Sequence, residues 1–282
     1  MSNFKIFADS CCDYPDETRD ISWITKIPLT IGLDGVDYRD DENLDCLELL
    51  KKMDATPSAP KSACPSSGDY FDAFNCEADD IYAVTLSEQL SGSYNSARLG
   101  AEMLKENNSN KNIYVFNSCS AASAEVAICL KIKELASKGL EFNEVVAQVE
   151  SYIDSLTTLF VLQDLSVFRK SGRLNHLQSI ITSTLRLKLV MFADPDGKIG
   201  VKAKALTTSK AISKLIENVQ KKSKEIDPAS RILVITHCNC YDRAKIVCDD
   251  IMNSCKFNLA IICRASGIST IYANSGGVIV SF

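Results

Sequence analysis

Through the first half of the chain, short apolar runs alternate with stretches whose apolar positions recur every three or four residues. The runs at 4–8, 81–86 and 112–117 predict strands, and 81–86, apolar and rich in β-branched residues behind Asp79-Asp80, predicts an inner strand of a parallel sheet. A further strand over 23–31 is interrupted by Pro28, which places it near an edge. Residues 33–41 predict a hairpin with Asp34-Gly35 at its tip. Leu44, Leu47 and Leu50 predict a short helix, and 55–67, with three prolines and no periodicity, predicts loop. Ser66 or Ser67 caps a helix through Tyr70 and Phe74. Tyr94, Ala97, Ala101 and Leu104 share one helix face. A helix over 121–138 stops at Gly139, and Val145, Val149, Ile153 and Leu156 mark another.

The second half has fewer helices between its strands. Residues 159–162 predict a strand, and Gln163-Asp164-Leu165 opens a short helix reaching Lys170-Ser171-Gly172-Arg173. Strands at 185–192 and 198–202 flank the turn Asp194-Pro195-Asp196-Gly197, an antiparallel hairpin. Helix stripes at Ile212, Leu215, Ile216, Val219 and at Ala244, Val247, Cys248, Ile251 surround a strand at 231–236. Ile261, 268–272 and 278–281 complete the predicted strands. The fold class expected is α/β in two domains. Residues 1–157 carry a parallel sheet, 158–282 a mixed or antiparallel one, and a ligand cleft lies between them.

Hydroxyl-rich loops follow three of the predicted strands. The central one is Ser87-Glu88-Gln89-Leu90-Ser91-Gly92-Ser93-Tyr94, between the 81–86 strand and the next helix. Ligands of open α/β sheets bind at such strand ends, and a helix amino end favours an anion. Ser91 or Ser93 is either an N-cap or a ligand contact there. Asp9-Ser10 opens a second loop, either as a turn cap or as support for a pocket, and Ser118-Cys119-Ser120 is the third.

Composition narrows the function classes. A chain of 282 residues that is 46% hydrophobic and 24% charged suits a globular protein with a sizeable core. A net charge of −5 without a Lys/Arg run argues against nucleic acid. No apolar stretch is long enough to span a membrane and no signal-peptide core opens the sequence, so a cytoplasmic protein is expected. Its twelve cysteines are then reduced thiols, many of them small apolar residues in the core. His237-Cys238-Asn239-Cys240 matches no zinc spacing, and structural roles are expected there; no metal and no cofactor is expected elsewhere.

Taken in order, these motifs resemble the DegV family of bacterial fatty-acid-binding proteins. Asp9-Ser-Cys-Cys-Asp-Tyr-Pro is similar to its opening DSxxDLP, and Ile27-Pro-Leu with Asp34-Gly-Val-Asp-Tyr-Arg-Asp to its vPL…dGxxYxD. Pro60-Lys-Ser-Ala-Cys-Pro-Ser is similar to PKTSQPS, Leu86-Ser-Glu-Gln-Leu-Ser-Gly-Ser-Tyr-Asn-Ser-Ala to iSskLSGTyqSA, and Phe168-Arg-Lys-Ser-Gly-Arg-Leu to LkrGGRi. The resemblance implies two α/β domains enclosing one long-chain fatty acid, its carboxylate against hydroxyls and its chain in an apolar tunnel. It also implies an ATP-dependent fatty acid kinase as partner, with this chain a non-catalytic binding subunit. Ser62 stands for the PKTSQP threonine, Ser91 and Gly92 for the LSG pair, and Ser93 for a threonine. Arg173 matches the GGRi arginine of the partner-facing surface. Two positions depart from the pattern: Tyr272 stands where the family has the histidine of HxGPG, and Leu206 where it has the arginine of KvRT.

The chemistry of such a ligand sets requirements. An acyl chain of ~14 methylenes gains roughly 11 kcal/mol on burial, at about 0.8 kcal/mol per CH₂. The head must be compensated, because an unpaired buried carboxylate is very costly. Ser62, Ser91 and Ser93, a helix amino end and Tyr272 are the expected carboxylate contacts, with Asp9 and Ser10 as support. With no Arg, Lys or His among those contacts, a neutral acid head is the hypothesis they suggest. The alternative function is a hydrolase or transferase using the serine-rich cleft, for which the sequence offers no G-x-S-x-G elbow and no phosphate-binding loop.

Overall fold

The computed structural model describes residues 3–15, 20–107, 110–177 and 187–282. Four parallel strands form the first sheet, in the order β3 (Ile24–Ile27), β1 (Phe4–Asp9), β7 (Asp80–Thr85), β8 (Asn112–Asn117). All six residues of β7 are buried, as an inner strand covered on both faces requires. Helices α2 (Ser67–Phe74) and α3 (Ser93–Glu106) bury Tyr70, Phe74, Ala97, Ala101 and Leu104 against one face. Helices α4 (Ser123–Ser137) and α5 (Phe142–Ser155) cover the other with Ile128, Ile132, Val145 and Val149.

The second sheet is mixed and seven-stranded. Its order is β11 (Ile199–Ala205), β10 (Lys188–Ala193), β9 (Thr158–Val161), β14 (Val278–Ser281), β12 (Ile232–His237), β13 (Leu259–Arg264), β2 (Tyr14–Pro15). Only the β12–β13 pair is parallel. The β10–β11 hairpin turns at Asp194-Pro195-Asp196-Gly197, as the turn residues predict. Helices α7 (Thr208–Ser223) and α8 (Tyr241–Ser254) pack Leu215, Val219, Val247 and Ile251 on one face. A short helix α6 (Ser166–Lys170) lies between β9 and β10. Strand β2, from near the start of the chain, joins the far edge of this sheet through Cys263↔Pro15 and Arg264↔Tyr14. A third, small antiparallel sheet orders β5 (Val36–Arg39), β4 (Thr30–Leu33), β6 (Lys61–Ala63).

Several elements differ from the sequence expectation. The 23–31 strand is two strands in two sheets, because Pro28 has no N–H for a ladder and separates β3 from β4. The 55–67 loop contains β6, held to β4 by the pairs Thr30↔Ala63 and Ile31↔Ser62 rather than by any apolar pattern of its own. Helix α1 (Cys46–Ala55) buries Leu49 and Leu50, while Leu47 is 54% exposed. The helix expected from 121 starts at Ser123, since Ala122 sits at a φ of 60°. The strand predicted at 185–192 is β10; positions 185–186 lie outside the described residues.

The largest departure is 268–272. Ile268-Ser269-Thr270-Ile271-Tyr272 carries β-branched residues at three of five positions, yet it forms helix α9 (Gly267–Ala273). Tertiary hydrogen bonds outweigh the propensity here. Ser266 Oγ accepts from the Ser269 N–H at 3.3 Å, and the buried Asp40 carboxylate accepts from Gly267 N at 2.7 Å and Ile268 N at 2.9 Å. Asp13 accepts from Ser266 N at 2.9 Å. Ile268 and Ile271 then pack with Leu29, Ile31, Leu33 and Leu49.

Candidate functional site

The serine-rich loop leaves the carboxyl end of β7 and enters α3. Ser87 is buried and organises it: its carbonyl accepts from Leu90 N and Ser91 N, and its Oγ accepts from Gln89 N. Ser87 Oγ also donates to Gly197 O at 2.8 Å, seating the β10–β11 turn on the loop. Gly197 is required there. Its φ is +83°, and a Cβ would lie 2.3 Å from Ser87 Oγ. Ser91 Oγ, placed just ahead of α3, accepts from Ser93 N at 3.2 Å and bonds Ser93 Oγ at 3.1 Å.

A cavity of about 90 Å³ opens beside this loop, in the measure by which one water takes about 10–15 Å³. Its walls are mainly apolar. Thr158, Phe160 and Leu162 line it at alternate positions along one face of β9 and its extension, a span of about 13 Å at ~3.3 Å per residue. Ile279, opposite Phe160 on β14, adds to the same face. Ser62, Ser91, Tyr272 and Arg173 also line the cavity. Ser62 Oγ and Tyr272 OH lie 3.0 Å apart, although 210 positions separate them in sequence. Their meeting depends on two elements the hydrophobic pattern hides: β6 carries Ser62 and α9 carries Tyr272. The Tyr272 ring packs on Phe168 with centroids 4.6 Å apart. Arg173 Nε donates to Leu90 O at 3.2 Å and Nη1 to Ser171 O at 2.8 Å. Ser120 and Thr158 supply hydroxyls on another part of the wall, bonded to each other at 2.8 Å.

Of the residues singled out from sequence, the structure thus brings Ser62, Ser91 and Tyr272 to one cavity. Arg173, expected on a partner-facing surface, lines it too. Gly92 and Ser93 are not among the lining residues: Ser93 is fully buried behind Ser91, and a Cβ on Gly92 would come within 3.1 Å of Cys64 Sγ. Asp9 and Ser10 lie deeper still. Ser10 Oγ accepts from Leu29 N at 3.0 Å. Leu206 is 70% exposed beyond the end of β11. Ser120 comes from the third hydroxyl-rich loop, whereas the wall residues Phe160, Leu162, Thr158 and Phe168 are not among the candidate site residues of the sequence. For the strand residues a signal existed, since 160 and 162 alternate along the strand predicted at 159–162, and Thr158, just before it, continues the same alternation.

Behind the loop sits a cluster of buried acids. Asp9 Oδ1 accepts from Cys11 N and Oδ2 from Leu86 N, both at 3.0 Å. Glu125 of α4 is fully buried and approaches it, with Asp9, Cys11 and Glu125 ligand atoms all within 4.8 Å of one another. Burial pushes Asp9 up to about 6, against the pull of its two backbone donors. Glu125 is raised well above the usual carboxylate range by burial and by the Asp9 charge. Burial and the same two acids raise the Cys11 thiol. With both Asp9 oxygens already receiving N–H donors and the thiol kept protonated, this set suits a shared proton better than a metal ion. The chain's two histidines are engaged elsewhere: His176 Nε2 with Ile199 O at 2.8 Å, and His237 Nδ1 with Cys240 N at 3.3 Å.

These features define an α/β protein with an apolar cavity whose wall gathers hydroxyls from a strand, a loop and a helix. The family model of DegV, described as an uncharacterised protein family, matches residues 3–282, and the chain belongs to that family. A DegV domain-containing protein of Streptococcus gordonii is 32% identical over 99% of this chain and 98% of its own length. The crystal structure of a DegV family protein from Ruminococcus gnavus, refined with vaccenic acid, superposes with a TM-score of 0.94 at 38% identity, covering 100% of this chain and 99% of that one. The fatty acid kinase B3 protein of Streptococcus pneumoniae, loaded with linoleic acid, superposes at 0.89 with 31% identity, covering 100% and 99%.

Proposed function

We propose that this chain is a lipid carrier that binds one long-chain fatty acid, the acyl chain along β9 and the carboxyl head at Ser62, Ser91 and Tyr272, with Arg173 beside it. The observation that carries this reading is the Ser62–Tyr272 hydroxyl pair and Ser91 on the wall of one mostly apolar cavity. The division of labour is physical: the tail supplies affinity through burial, and hydroxyls replace the head's water. The fatty acids bound by the Ruminococcus gnavus and Streptococcus pneumoniae proteins support it.

The chain acts as a binding subunit with the fatty acid as its ligand and no further cofactor, and an ATP-dependent fatty acid kinase is its partner. The name of the Streptococcus pneumoniae relative supports that partnership. Residues 1–157 and 158–282 form the two lobes that close on the lipid. Twelve free thiols suit a reducing cytoplasm. Among the described residues no helix is long and apolar enough to cross a membrane.

Mass spectrometry of organic extracts of the purified protein tests the reading. Near-stoichiometric fatty acid in the wild type, lost in a Ser62→Ala, Ser91→Ala double variant that remains folded, is the expected result. A protein that neither carries nor takes up fatty acid would overturn it.

A further inference from the structure

The room beside the serine loop is short for a long-chain acid. A methylene and a water molecule are of similar size, so the 90 Å³ cavity holds roughly 6–9 such groups. A chain of ~14 methylenes with its head needs about twice that. The rest of the chain has to lie beyond the wall. A second cavity, of about 440 Å³, adjoins the first, and Ser120, Thr158 and Ala193 line both. These three small residues are therefore the partition between them. Beyond it the wall is mixed: Ile153, Leu159, Phe192 and Ile226 are apolar, whereas Asn218 and Lys221 are polar.

The partition is tied by hydroxyls. Ser120 Oγ, from the loop after β8, donates to Thr158 Oγ1 of β9 at 2.8 Å. Thr158 Oγ1 bonds Ser281 Oγ of β14 at 3.0 Å, and Ser281 Oγ bonds Ser123 Oγ at the start of α4 at 2.7 Å. All four residues are buried, and only Ser120 and Thr158 of the four line the cavities. An acyl chain that continues from the first cavity into the second parts the Ser120–Thr158 bond. A methylene at that point leaves the Ser120 proton and a Thr158 lone pair buried without partners, and each then costs its desolvation. A hydroxyl at that point accepts from Ser120 Oγ and donates to Thr158 Oγ1, and the series of bonds is whole again.

We propose that the acyl chain crosses this partition, and that the site takes long-chain acids carrying a hydroxyl at about the seventh to tenth carbon, held between Ser120 and Thr158. This rests on the fatty-acid reading above and narrows its substrate class. The position follows from the room available. The groups that fill the first cavity are the carboxyl and the carbons next to it, so the carbon after them stands at the partition. The tail beyond lies against Ile153, Leu159, Phe192 and Ile226 in the second cavity. A wall that was apolar throughout would reject such a ligand, because a buried hydroxyl without a partner weakens binding roughly ten- to a hundredfold. Here the partner groups are already in place and bonded only to one another and to Ser281.

The test is displacement of labelled stearic acid from the full chain by 9-hydroxystearic acid, with 5-hydroxystearic acid as the positional control. In the wild type 9-hydroxystearic acid is expected to bind within tenfold of stearic acid or tighter. The 5-hydroxy isomer, whose hydroxyl falls within the apolar first cavity, is expected to bind more than tenfold weaker than stearic acid. Ser120→Ala removes the donor to the ligand hydroxyl, so the affinity ratio of 9-hydroxystearic to stearic acid should fall at least fivefold. Thr158→Val keeps the side chain's shape and removes the acceptor, and should move the ratio in the same direction. If Thr158→Val does not fold, Ser120→Ala decides alone. A 9-hydroxystearic acid bound more than tenfold weaker than stearic acid, a 5-hydroxy isomer bound as well as the 9-hydroxy isomer, or an unchanged ratio in Ser120→Ala would each overturn the proposal while leaving fatty acid binding intact. A wild type that takes up none of these acids would overturn the functional reading itself.

Discussion

The seat of the β10–β11 turn on the serine loop can be measured with a pair of glycines. Gly197 and Gly139 have nearly the same backbone conformation, φ +83° and +79°. Alanine at either position pays the left-handed backbone cost, about 1–2 kcal/mol. They differ in surroundings. Around Gly139 nothing lies within 4 Å of a Cβ, whereas at Gly197 the Cβ meets Ser87 Oγ at 2.3 Å and Cys119 Cα at 3.1 Å. Gly197→Ala must therefore also push apart the 2.8 Å bond from Ser87 Oγ to Gly197 O, which is buried. Losing it leaves a buried polar group unmatched at about 1–3 kcal/mol. The expected totals are about 1–2 kcal/mol for Gly139→Ala and about 2–5 kcal/mol for Gly197→Ala. Urea unfolding of both variants gives the difference directly, provided the m-values agree. Gly197 also lines the cavity, so fatty acid should leave the Gly197→Ala protein faster and the Gly139→Ala protein at the wild-type rate. Equal destabilisation of the two would refute the reasoning, because the backbone cost would then account for everything.

Three further outcomes follow from the same geometry. Asp9 and Asp40 are each raised from 3.8 to about 6, chiefly by burial. A folded value above the unfolded one means that the native state binds more protons across that window, so stability is lost as pH rises through it. Urea unfolding should give about 2–3 kcal/mol more stability at pH 5 than at pH 7.5; a steady fall on acidification would contradict this, since the lowered carboxylates Asp45 and Asp69 are exposed and weigh little. Asp69→Ala breaks the capping box with Ser66 and should cost about 1 kcal/mol of thermal stability without changing fatty acid content. Arg173→Ala should weaken oleic acid binding about tenfold or more, by loss of both its cavity-lining charge and its hold on Leu90 O, while Arg173→Lys should recover only part, as the fork of N–H donors is not replaced.

Much of the framework could be read from the chain because local and global preferences agree there. In β7, the helix stripes of α3, α4, α7 and α8, and the Asp194–Gly197 turn, periodicity, propensity and turn chemistry all point the same way. The misread segments are those whose structure is imposed from elsewhere. Residues 268–272 have the composition of a strand and are helical because Asp40, Asp13 and Ser266 hold the helix start. Lys61–Ala63 is a strand only because β4 offers it a ladder. Since Ser62 and Tyr272 sit on those two elements, the candidate head site was identifiable by motif while its construction was not. Arg173 shows the converse limit. Its motif drew attention to it, but which way a side chain turns after a short helix depends on a contact with Leu90, 83 positions away.

Strand β2 bears on how the chain is made. Residues 14 and 15 supply the outermost strand of a sheet whose other members all come after residue 157, and Asp13 beside them bonds Thr236 Oγ1 at 2.6 Å and Ser266 N at 2.9 Å. On a ribosome these residues emerge among the first and wait for nearly the last. Until residue 236 is released the buried Asp13 carboxyl has neither partner, and until residue 266 it lacks the second. The first sheet can assemble early, but its loop after β1 is completed only when synthesis is almost finished. A chain truncated before α9 thus loses its carboxyl terminus and, with it, the setting of the loop that begins at Asp9.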